Sequence, residues 1–150
     1  MEQKYYFRGR RADTLSKVWV YGSLLEWEDG TCEICSVDTF ARMKKITVKR
    51  DTVCIFTGLY DCTKWEDLTY KEKELWSKTG KTYSDWKGRM IFSNDIVKTA
   101  YFDTPAVVQY IKGNFYTSGM FLIETYDETM KIIGNMYDNP EQICSFVVTS

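Results

Sequence analysis

Aromatic side chains are unusually frequent in this chain of 150 residues, and they constrain its fold more than any other feature. Eleven Tyr, eight Phe and five Trp together make up 16% of the sequence. Such residues favour pleated, half-buried surfaces, where their rings pack against neighbouring strands. The apolar runs are also short enough to be strands. The composition therefore predicts a mainly β fold, either a barrel or a sheet.

Runs rich in aromatic and β-branched residues recur along the chain between turn residues. The run 18–27 is apolar on both alternating faces, which predicts a strand that is central or covered on both sides. Tight reversals are predicted at Glu28-Asp29-Gly30 and at Gly113-Asn114, because Gly accepts a positive φ. The other predicted strands are 5–8, 32–37, 43–49, 52–57, 96–102, 107–111, 115–117, 131–137 and 143–148.

One segment breaks this pattern and predicts a single α-helix over about residues 64–79. Thr63 and Glu66 have the spacing of a capping box, in which each side chain satisfies an amide at the helix start. Gly80 follows as a stop signal. Glu72 interrupts the apolar stripe of this helix, which predicts shallow packing. The stripe consists of Trp65, Leu68, Leu75 and Trp76.

Length and composition predict one domain over residues 1–150. The chain has the size of a typical domain, and it contains no internal repeat, no low-complexity tract and no stretch with the composition of a linker.

The chain has no histidine, which excludes several classes of enzyme and metal site. Ser-His-Asp and Cys-His nucleophilic sites and the commonest zinc and copper sites all need an imidazole. No glycine-rich phosphate-binding motif is present either. We therefore expect a protein that is not an enzyme and that has no catalytic residues, no metal ligands, no cofactor and no small-molecule substrate.

Charge is unevenly distributed along a nearly neutral chain. Residues 1–50 carry ten basic and seven acidic side chains, whereas residues 101–150 carry two and six. Opposite ends could attract each other within one fold or between copies. The chain start lacks the apolar core of an export signal, and no run is long enough to span a membrane. We expect a cytoplasmic protein with no membrane partner and with reduced cysteines.

Two basic clusters provide an alternative function. They contain Arg8, Arg10, Arg11, Lys44, Lys45, Lys49 and Arg50, with Arg42 beside the second cluster and aromatic residues beside the first. Basic residues interleaved with aromatics can contact phosphates and stack on bases. A small nucleic-acid-binding barrel is therefore possible. The acidic isoelectric point near 5.6 and the absence of a known nucleic-acid-binding motif favour a solvated strand face instead.

Cys32 and Cys35 form a CxxC motif, the spacing of zinc knuckles and of thiol redox sites. The zinc interpretation lacks a second ligand pair, and the redox interpretation lacks a helix start that would lower a thiol pKa. The surroundings predict a strand, in which residues i and i+3 point to opposite faces. A structural role for these thiols is therefore favoured over a redox or metal site.

Strings along nearly the whole chain resemble the YopX family of phage and prophage proteins. They are FRGRR at 7–11, WVYGSL at 19–24, FTGLYD at 56–61, GRMIFSNDIVK at 88–98 and IIGNMYDNPEQI at 132–143. The family shows an FRG-like string, a W-V-Y-G-S strand, a TGL-D segment running into G-K-x-I-x-x-G-D-I-V, and a closing I-G-N-x-x-x-N-P string. Here the strings occur in the same order, with matching spacing at both ends of the chain.

This chain departs from the family pattern at two places. Residues 62–87 separate the third and fourth strings, which the family joins by a few residues, so the predicted helix belongs to an insertion. Asn94 stands where the family tends to have Gly, and Asn tolerates the left-handed backbone that such a turn requires.

The resemblance implies a YopX-like β-rich fold with one added helix, in an intracellular, phage-encoded accessory protein that can self-associate. It supplies no catalytic residues. The aromatic excess favours an interaction module, because Trp and Tyr anchor protein interfaces. We therefore predict a non-enzymatic module that acts by self-assembly, as a homo-oligomer, or by contact with a phage or host protein. Nucleic-acid binding by the clusters at 8–11 and 42–50 is the alternative.

Overall fold

Antiparallel strands dominate the computed structural model, which confirms the mainly β prediction. The structure describes residues 6–13, 17–37, 42–78, 81–102 and 104–143. The chain forms two compact units, Met1–Phe56 and Thr57–Ser150, and their boundary falls inside one strand. Two compact units can form one domain or two, so the single domain over 1–150 stays a prediction.

The first unit is an antiparallel sheet with the strand order β4-β3-β2-β1-β5. Its strands are β1 (Phe7–Arg10), β2 (Trp19–Glu26), β3 (Cys32–Val37), β4 (Met43–Val48) and the start of β5 (Cys54–Tyr60), with a 3-10 helix at Arg50–Thr52. β2 lies inside the sheet as predicted. Its outer face is not covered, since Tyr21 and Trp27 are 41% and 50% exposed.

This first sheet curls until β4, at one end of the strand order, meets the end of β1. Arg11, just after β1, forms an antiparallel bridge with Val48 at the end of β4. The amide of Ala12 donates to the carbonyl of Thr47 at 2.9 Å, and the amide of Lys49 donates to the carbonyl of Arg10 at 2.8 Å. Strands β1 to β4 therefore close into a small barrel. A buried apolar cluster of Val20, Cys32, Ile34 and Val48 fills it.

Two glycines allow this closure. A Cβ atom on Gly9 would lie 2.9 Å from Cβ and Cγ2 of Val48 across the barrel. A Cβ atom on Gly22, whose φ is +156°, would lie 2.0 Å from the carbonyl oxygen of Cys35. The FRG and WVYGS strings thus contain glycine where the barrel wall is tightest.

The second unit contains a five-stranded antiparallel sheet with the order β10-β9-β8-β7-β11, together with β6 beside β5. The strands are β6 (Met90–Phe92), β7 (Asp95–Lys98), β8 (Ala106–Ile111), β9 (Asn114–Thr117), β10 (Met120–Phe121) and β11 (Lys131–Asn135). Its helices are α1 (Tyr70–Ser77), α2 (Leu122–Thr125) and two 3-10 helices, Trp65–Asp67 and Tyr83–Asp85. The buried core consists of Ile91, Val97, Val108, Leu122 and Met130.

Residues in the left-handed backbone conformation form the hairpin turns of this second unit. Lys112 and Gly113 have φ of 49° and 85°, and Ser118 and Gly119 have φ of 50° and 79°. Two consecutive positive values are typical of a two-residue hairpin turn. The hairpin predicted at Gly113-Asn114 is thus present one residue earlier. Asn94 has φ of 68°, as inferred from its replacement of Gly.

The predicted helix exists, but its predicted start is wrong. α1 begins at Tyr70, and Thr69 and Glu72 form its capping box. The same Thr-x-x-Glu spacing occurs at Thr63 and Glu66, but Asp61 binds the hydroxyl and the amide of Thr63. The Thr63 hydroxyl thus donates to Asp61, and a 3-10 turn without a side-chain cap, Trp65–Asp67, follows it. The predicted stop at Gly80 lies outside the described residues.

The remaining strand predictions agree with the structure in position and differ at the ends. The sequence patterns miss β6 and β10, because each has only two or three residues and shows no clear alternation. Of the predicted strand at 143–148 the structure describes only Ile143, which is helical, so the prediction is wrong at that residue, and the rest lies outside the described ranges. The first residue of the strand predicted at 5–8 also lies outside them.

The close approach of Gly9 and Val48 gives a stability prediction. We expect Gly9→Ala to destabilise the protein by about 1–3 kcal/mol, because the added methyl group overpacks the barrel. Val48→Ala removes the two Cγ methyl groups at its own cost and leaves only the Cβ atom of residue 48 close to the added methyl group, so it relieves part of the overpacking. The double variant should be more stable than the sum of both effects by about 1 kcal/mol in urea titrations. Additive effects within about 0.5 kcal/mol would contradict this description of the barrel.

Candidate interaction surfaces

The first predicted basic cluster lies on the outer face of β1 and β2, where it stacks on aromatic rings. Register places Arg10 opposite Trp19 and Arg8 opposite Tyr21. The guanidinium carbons of Arg8 and Arg10 lie 4.6 and 5.2 Å from the centre of the Trp19 ring. Arg8 is only 6% exposed. Arg8 is thus packed within the fold, and little of it could contact a phosphate.

Tyr6 extends this stack by lying parallel to Tyr21, with ring centres 6.4 Å apart. Burial raises the pKa of the Tyr6 phenol to about 12, and the neighbouring Tyr21 adds to the effect. The phenol is therefore neutral at physiological pH, and it contributes no charge to this face.

Arg11 is paired with a carboxylate. Its guanidinium donates to both oxygens of Asp13, at 2.9 and 2.7 Å. This hydrogen-bonded pair raises the pKa of Arg11 and lowers the pKa of Asp13. The pair is exposed, so it contributes little to stability, but it balances the positive charge at this position.

The second basic cluster is divided between two faces of β4 and the turn after it. Lys45 is opposite Cys35 and Lys44 is opposite Ser36, so their side chains alternate across the strand. Lys49 and Arg50 follow the strand, and all four are exposed. The structure thus does not place the seven predicted cations on one face. Nucleic-acid binding by them stays a prediction.

The CxxC motif lies in β3, as predicted. Cys32 belongs to the buried cluster inside the barrel, whereas Cys35 lines the outer surface. The two thiols therefore point to opposite faces, and neither forms a disulfide within the described residues. No group of three or more His, Cys, Asp or Glu side chains in the described part of the chain could hold a metal ion.

Cys35 helps to form an open depression on the outer face of β2, β3 and β4, which we call the outer hollow. Its volume is about 430 Å³, and its lining consists of Ser23, Leu25, Cys35, Ser36, Met43 and Lys45. Met43 is 68% exposed. The walls are mostly apolar, and Lys45 is the only charged residue among the lining residues.

A second apolar surface lies at the β10 end of the five-stranded sheet. We call it the apolar edge, and it consists of Ile111, Tyr116 and Phe121, which share one face of the sheet, with Met120 on the opposite face and Ile123 in α2. The rings of Tyr116 and Phe121 stack with centres 5.1 Å apart. Ile111, Met120, Phe121 and Ile123 are 47%, 50%, 45% and 71% exposed. The strand order places no strand beyond β10 within the described residues.

The sequence around the apolar edge is depleted of charge. Lys112 is the one charged residue between positions 106 and 123, although charged residues make up 27% of the chain. Loss of charge with gain of aromatic residues and Met is typical of the core of a protein interface. The sequence alone could have revealed this surface through that depletion.

The segment 62–87, which the family resemblance predicts to be an insertion and which we call the insertion, packs around three tryptophans. Trp86 meets Trp65 and Trp76 edge to face, with ring centres 6.1 and 5.1 Å away. The indole nitrogen of Trp86 donates to the carbonyl of Thr63 at 2.9 Å. Leu68 is buried, but Leu75 is 55% exposed. The shallow packing predicted for the apolar stripe of the helix is therefore observed at Leu75, whereas the prediction is wrong for Leu68, which is buried.

Glu72 joins the helix start to the end of the insertion. Its two carboxylate oxygens accept from Arg89, each at 3.0 Å, and one also accepts from the amide of Thr69. Burial acts to raise the pKa of Glu72, but the bonds from Arg89 and Thr69 exceed that effect and lower it. Glu72 in turn raises the pKa of Arg89.

Asp61 is a buried carboxylate that sequence analysis missed. Its oxygens accept from the amides of Thr63, Arg89 and Ile132 at 3.0, 2.8 and 3.1 Å and from the Thr63 hydroxyl at 2.8 Å. The only signal in the sequence is its place as the last residue of the FTGLYD string. Four donors satisfy the carboxylate, which makes it a structural group.

The family model described as YopX protein matches residues 27–143. The chain belongs to the YopX family. No curated protein and no solved structure matches it. The matched range contains Asp61, the insertion and the apolar edge. None of the helices described in this YopX-family chain is long and apolar enough to cross a membrane.

The Glu72–Arg89 pair predicts a pH-dependent stability. Because folding lowers the pKa of Glu72, its charge stabilises the folded state above the unfolded pKa of about 4.3, and this stabilisation is lost as the pH falls through the folded pKa. We expect Glu72→Gln to be destabilised at pH 7 and to match the original protein near pH 3, in urea titrations at both values.

Glu74→Gln is the matched control, because Glu74 lies on the same helix and is paired with Lys78 at 3.8 Å in a more exposed position. Its effect should be smaller, within the ~0.5 kcal/mol typical of exposed helix pairs. An effect of Glu72→Gln that is the same at both pH values would contradict the assigned role of its charge.

Proposed function

We propose that this YopX-family chain is a non-enzymatic interaction module that acts by self-assembly or by contact with another protein. The observation that carries the proposal is the apolar edge, where four large hydrophobic side chains are about half exposed or more around a stretch with one charge. Exposed patches of this kind on soluble proteins mark interaction sites. Contact with a protein surface would remove them from water.

The position of the patch on a sheet edge supports the same proposal. β10 contains two residues and ends the strand order of its sheet within the described residues. Edge strands offer unpaired backbone groups to a partner, and natural proteins usually protect them with charge or proline. Residues 113–123 contain neither. A partner could therefore engage both the backbone and the apolar side chains.

Three potentially reactive side chains, those of Asp61, Asp95 and Cys32, have structural roles that favour a non-enzymatic function. Asp61 and Asp95 are 4% and 1% exposed, and each accepts a backbone amide. Cys32 lies in the barrel core. Without histidine, a catalytic site would need carboxylate, Lys, Tyr or Cys groups that converge in a pocket.

The biological setting of the proposal comes from the family resemblance. YopX-like strings occur in phage and prophage proteins, so we place this chain among phage-encoded accessory proteins in the cytoplasm of a bacterial host. Its partner would then be a second copy, a phage protein or a host protein.

Nucleic-acid binding is a second candidate, favoured by one observation. Arg10, Trp19 and Tyr21 share one outer face of the barrel, where a cation lies beside aromatic rings. Such a face could stack on bases. This candidate predicts retention on single-stranded DNA or RNA that weakens steeply with salt, and absence of binding at about 50 mM salt would exclude it.

The apolar edge gives a direct test of the leading proposal. We expect the protein to self-associate or to capture a phage or host protein at micromolar concentration, and Ile123→Asp to weaken that contact at least about tenfold. The reason is that the new carboxylate would have to be buried in an apolar contact. Light scattering and pull-down from infected cells would measure the effect.

Leu75→Asp is the matched control, because it also adds a carboxylate at an exposed aliphatic position of a helix. It should leave association unchanged, and circular dichroism should show both variants folded. A strict monomer that captures no partner, or equal loss of contact in both variants, would contradict the proposal.

A further inference from the structure

We infer that residues 64–87 of the insertion open and close as one cooperative unit while the five-stranded sheet stays folded, and that the Glu72–Arg89 ion pair holds this unit closed. The inference goes beyond the proposed function and is independent of it, because it uses no residue of the apolar edge. Three features support it: the low burial of the insertion, the mutual dependence of its helical elements, and the fixed positions of its two ends.

The insertion buries few of its side chains. Among its described positions, 62–78 and 81–87, only Thr63 and Leu68 are buried. The described helical elements, α1 and the two 3-10 helices, contain no buried residue. By contrast, Ile91 and Val97 in the core of the same unit are 0% exposed. Segments with few buried apolar side chains open at a lower free energy than a core does, so the insertion can open while the core stays closed.

The helix α1 depends on its neighbours to stay helical. It has eight residues, and isolated helices shorter than about 12–15 residues are marginal in water. Leu75 is 55% exposed and adds little packing. Trp76 packs edge to face on Trp86, and its indole nitrogen donates to the carbonyl of Thr82 at 2.8 Å. The helix is therefore stabilised by residues that follow it in the insertion.

The same tryptophan packing joins all three helical elements, which makes their opening cooperative. Trp86, just after the second 3-10 helix, also meets Trp65 at the start of the first one, with ring centres 6.1 Å apart. The ammonium nitrogen of Lys73 in α1 lies 5.8 Å from the centre of the Trp65 ring. Loss of one of these contacts removes support from the other two elements. The three elements therefore open together.

The Glu72–Arg89 pair joins this unit to the rest of the chain. The main chain of Arg89 is bonded to Asp61, because its amide donates to the carboxylate and its carbonyl accepts from the amide, both at 2.8 Å. Its side chain donates to the two oxygens of Glu72 in α1, each at 3.0 Å. Both side chains are about one-third exposed, so water screens their attraction. A contact of this moderate strength stabilises the closed form and still permits opening.

The two ends of the insertion are fixed by bonds to the sheet. The carboxylate of Asp61, which is 4% exposed, accepts from the amide of Ile132 in β11 at 3.1 Å. The amide of Cys62 donates to the carbonyl of Met130 at 2.8 Å, and Met130 is 0% exposed. These bonds involve no residue of 64–87. The open segment is therefore a loop between two fixed points, and the strands keep their register.

Hydrogen exchange of the whole protein, followed amide by amide by NMR, tests the inference. Amides that bond inside the insertion, such as those of Lys73 and Lys78, should share one protection factor. We expect that factor to be at least about tenfold lower than the protection of amides in β7 and β8. The amides of Asp61, Arg89 and Ile132 should exchange as slowly as those of the sheet.

Two variants distinguish local opening from unfolding of the sheet. Ile96→Val removes a methyl group from a side chain in β7 that is 0% exposed. It should speed exchange about fivefold in the sheet and leave the insertion unchanged, because the sheet stays folded when the insertion opens. Glu72→Gln weakens the closed form itself. It should speed exchange at least about threefold throughout the insertion, and by the same factor in the sheet.

Glu74→Gln is the matched control, because Glu74 lies in the same helix and its pair with Lys78 is more exposed. It should change exchange in the insertion less than about twofold.

Two results would overturn the inference. Ile96→Val could speed exchange by the same factor in the insertion and in the sheet, which would mean that the insertion opens only when the sheet unfolds. Glu72→Gln could speed exchange at Lys73 and leave Leu68 and Trp86 unchanged, which would mean that the helix frays without the other elements. Neither result bears on association through the apolar edge.

Discussion

The buried carboxylate of Asp61 holds the second unit together at the point where three chain segments meet. It accepts hydrogen bonds from the turn after β5, from Arg89 at the end of the insertion, and from Ile132 in β11. The amide of Asp61 also donates to the carbonyl of Arg89 at 2.8 Å. A Cβ atom on Gly88 would lie 2.0 Å from the carbonyl oxygen of Asp61, so only glycine fits beside it.

This arrangement is compatible with the predicted insertion at 62–87. The hydrogen bonds between Asp61 and Arg89 join the two ends of the insertion, so its length adds little to the geometry of the sheet. Loop closure also becomes only slowly less favourable as a loop lengthens. The inserted residues then pack against each other through Trp65, Trp76 and Trp86. The sheet that presents the apolar edge need not change.

Much of the fold could be predicted from local sequence signals. The limits predicted for β3 are the observed ones, and the turn chemistry of Gly30 and Gly113 located two hairpins. Where two capping signals predicted a helix start at different residues, the sequence alone could not show which one starts the helix. Thr63 and Thr69 each start a capping box in sequence, and only the buried position of Asp61 determines which threonine is left to cap the helix.

The candidate site was less predictable, because it depends on what the fold exposes. Arg8 and Lys45 look alike in a charge count, but Arg8 is buried against Trp19 and Lys45 lines an open surface. Met120 and Phe121 look like core residues until the strand order places them at an edge. Barrel closure by Arg11 and Val48 pairs residues far apart in sequence, which no local pattern reveals.

The central proposal is that copies of this chain associate through the apolar edge. Hydrogen exchange followed by mass spectrometry, at low and high protein concentration, tests it most directly. We expect rising concentration to slow exchange in peptides covering 114–125, and to leave the segment 62–87 unchanged. Protection confined to the insertion, or the same exchange at both concentrations, would contradict the account.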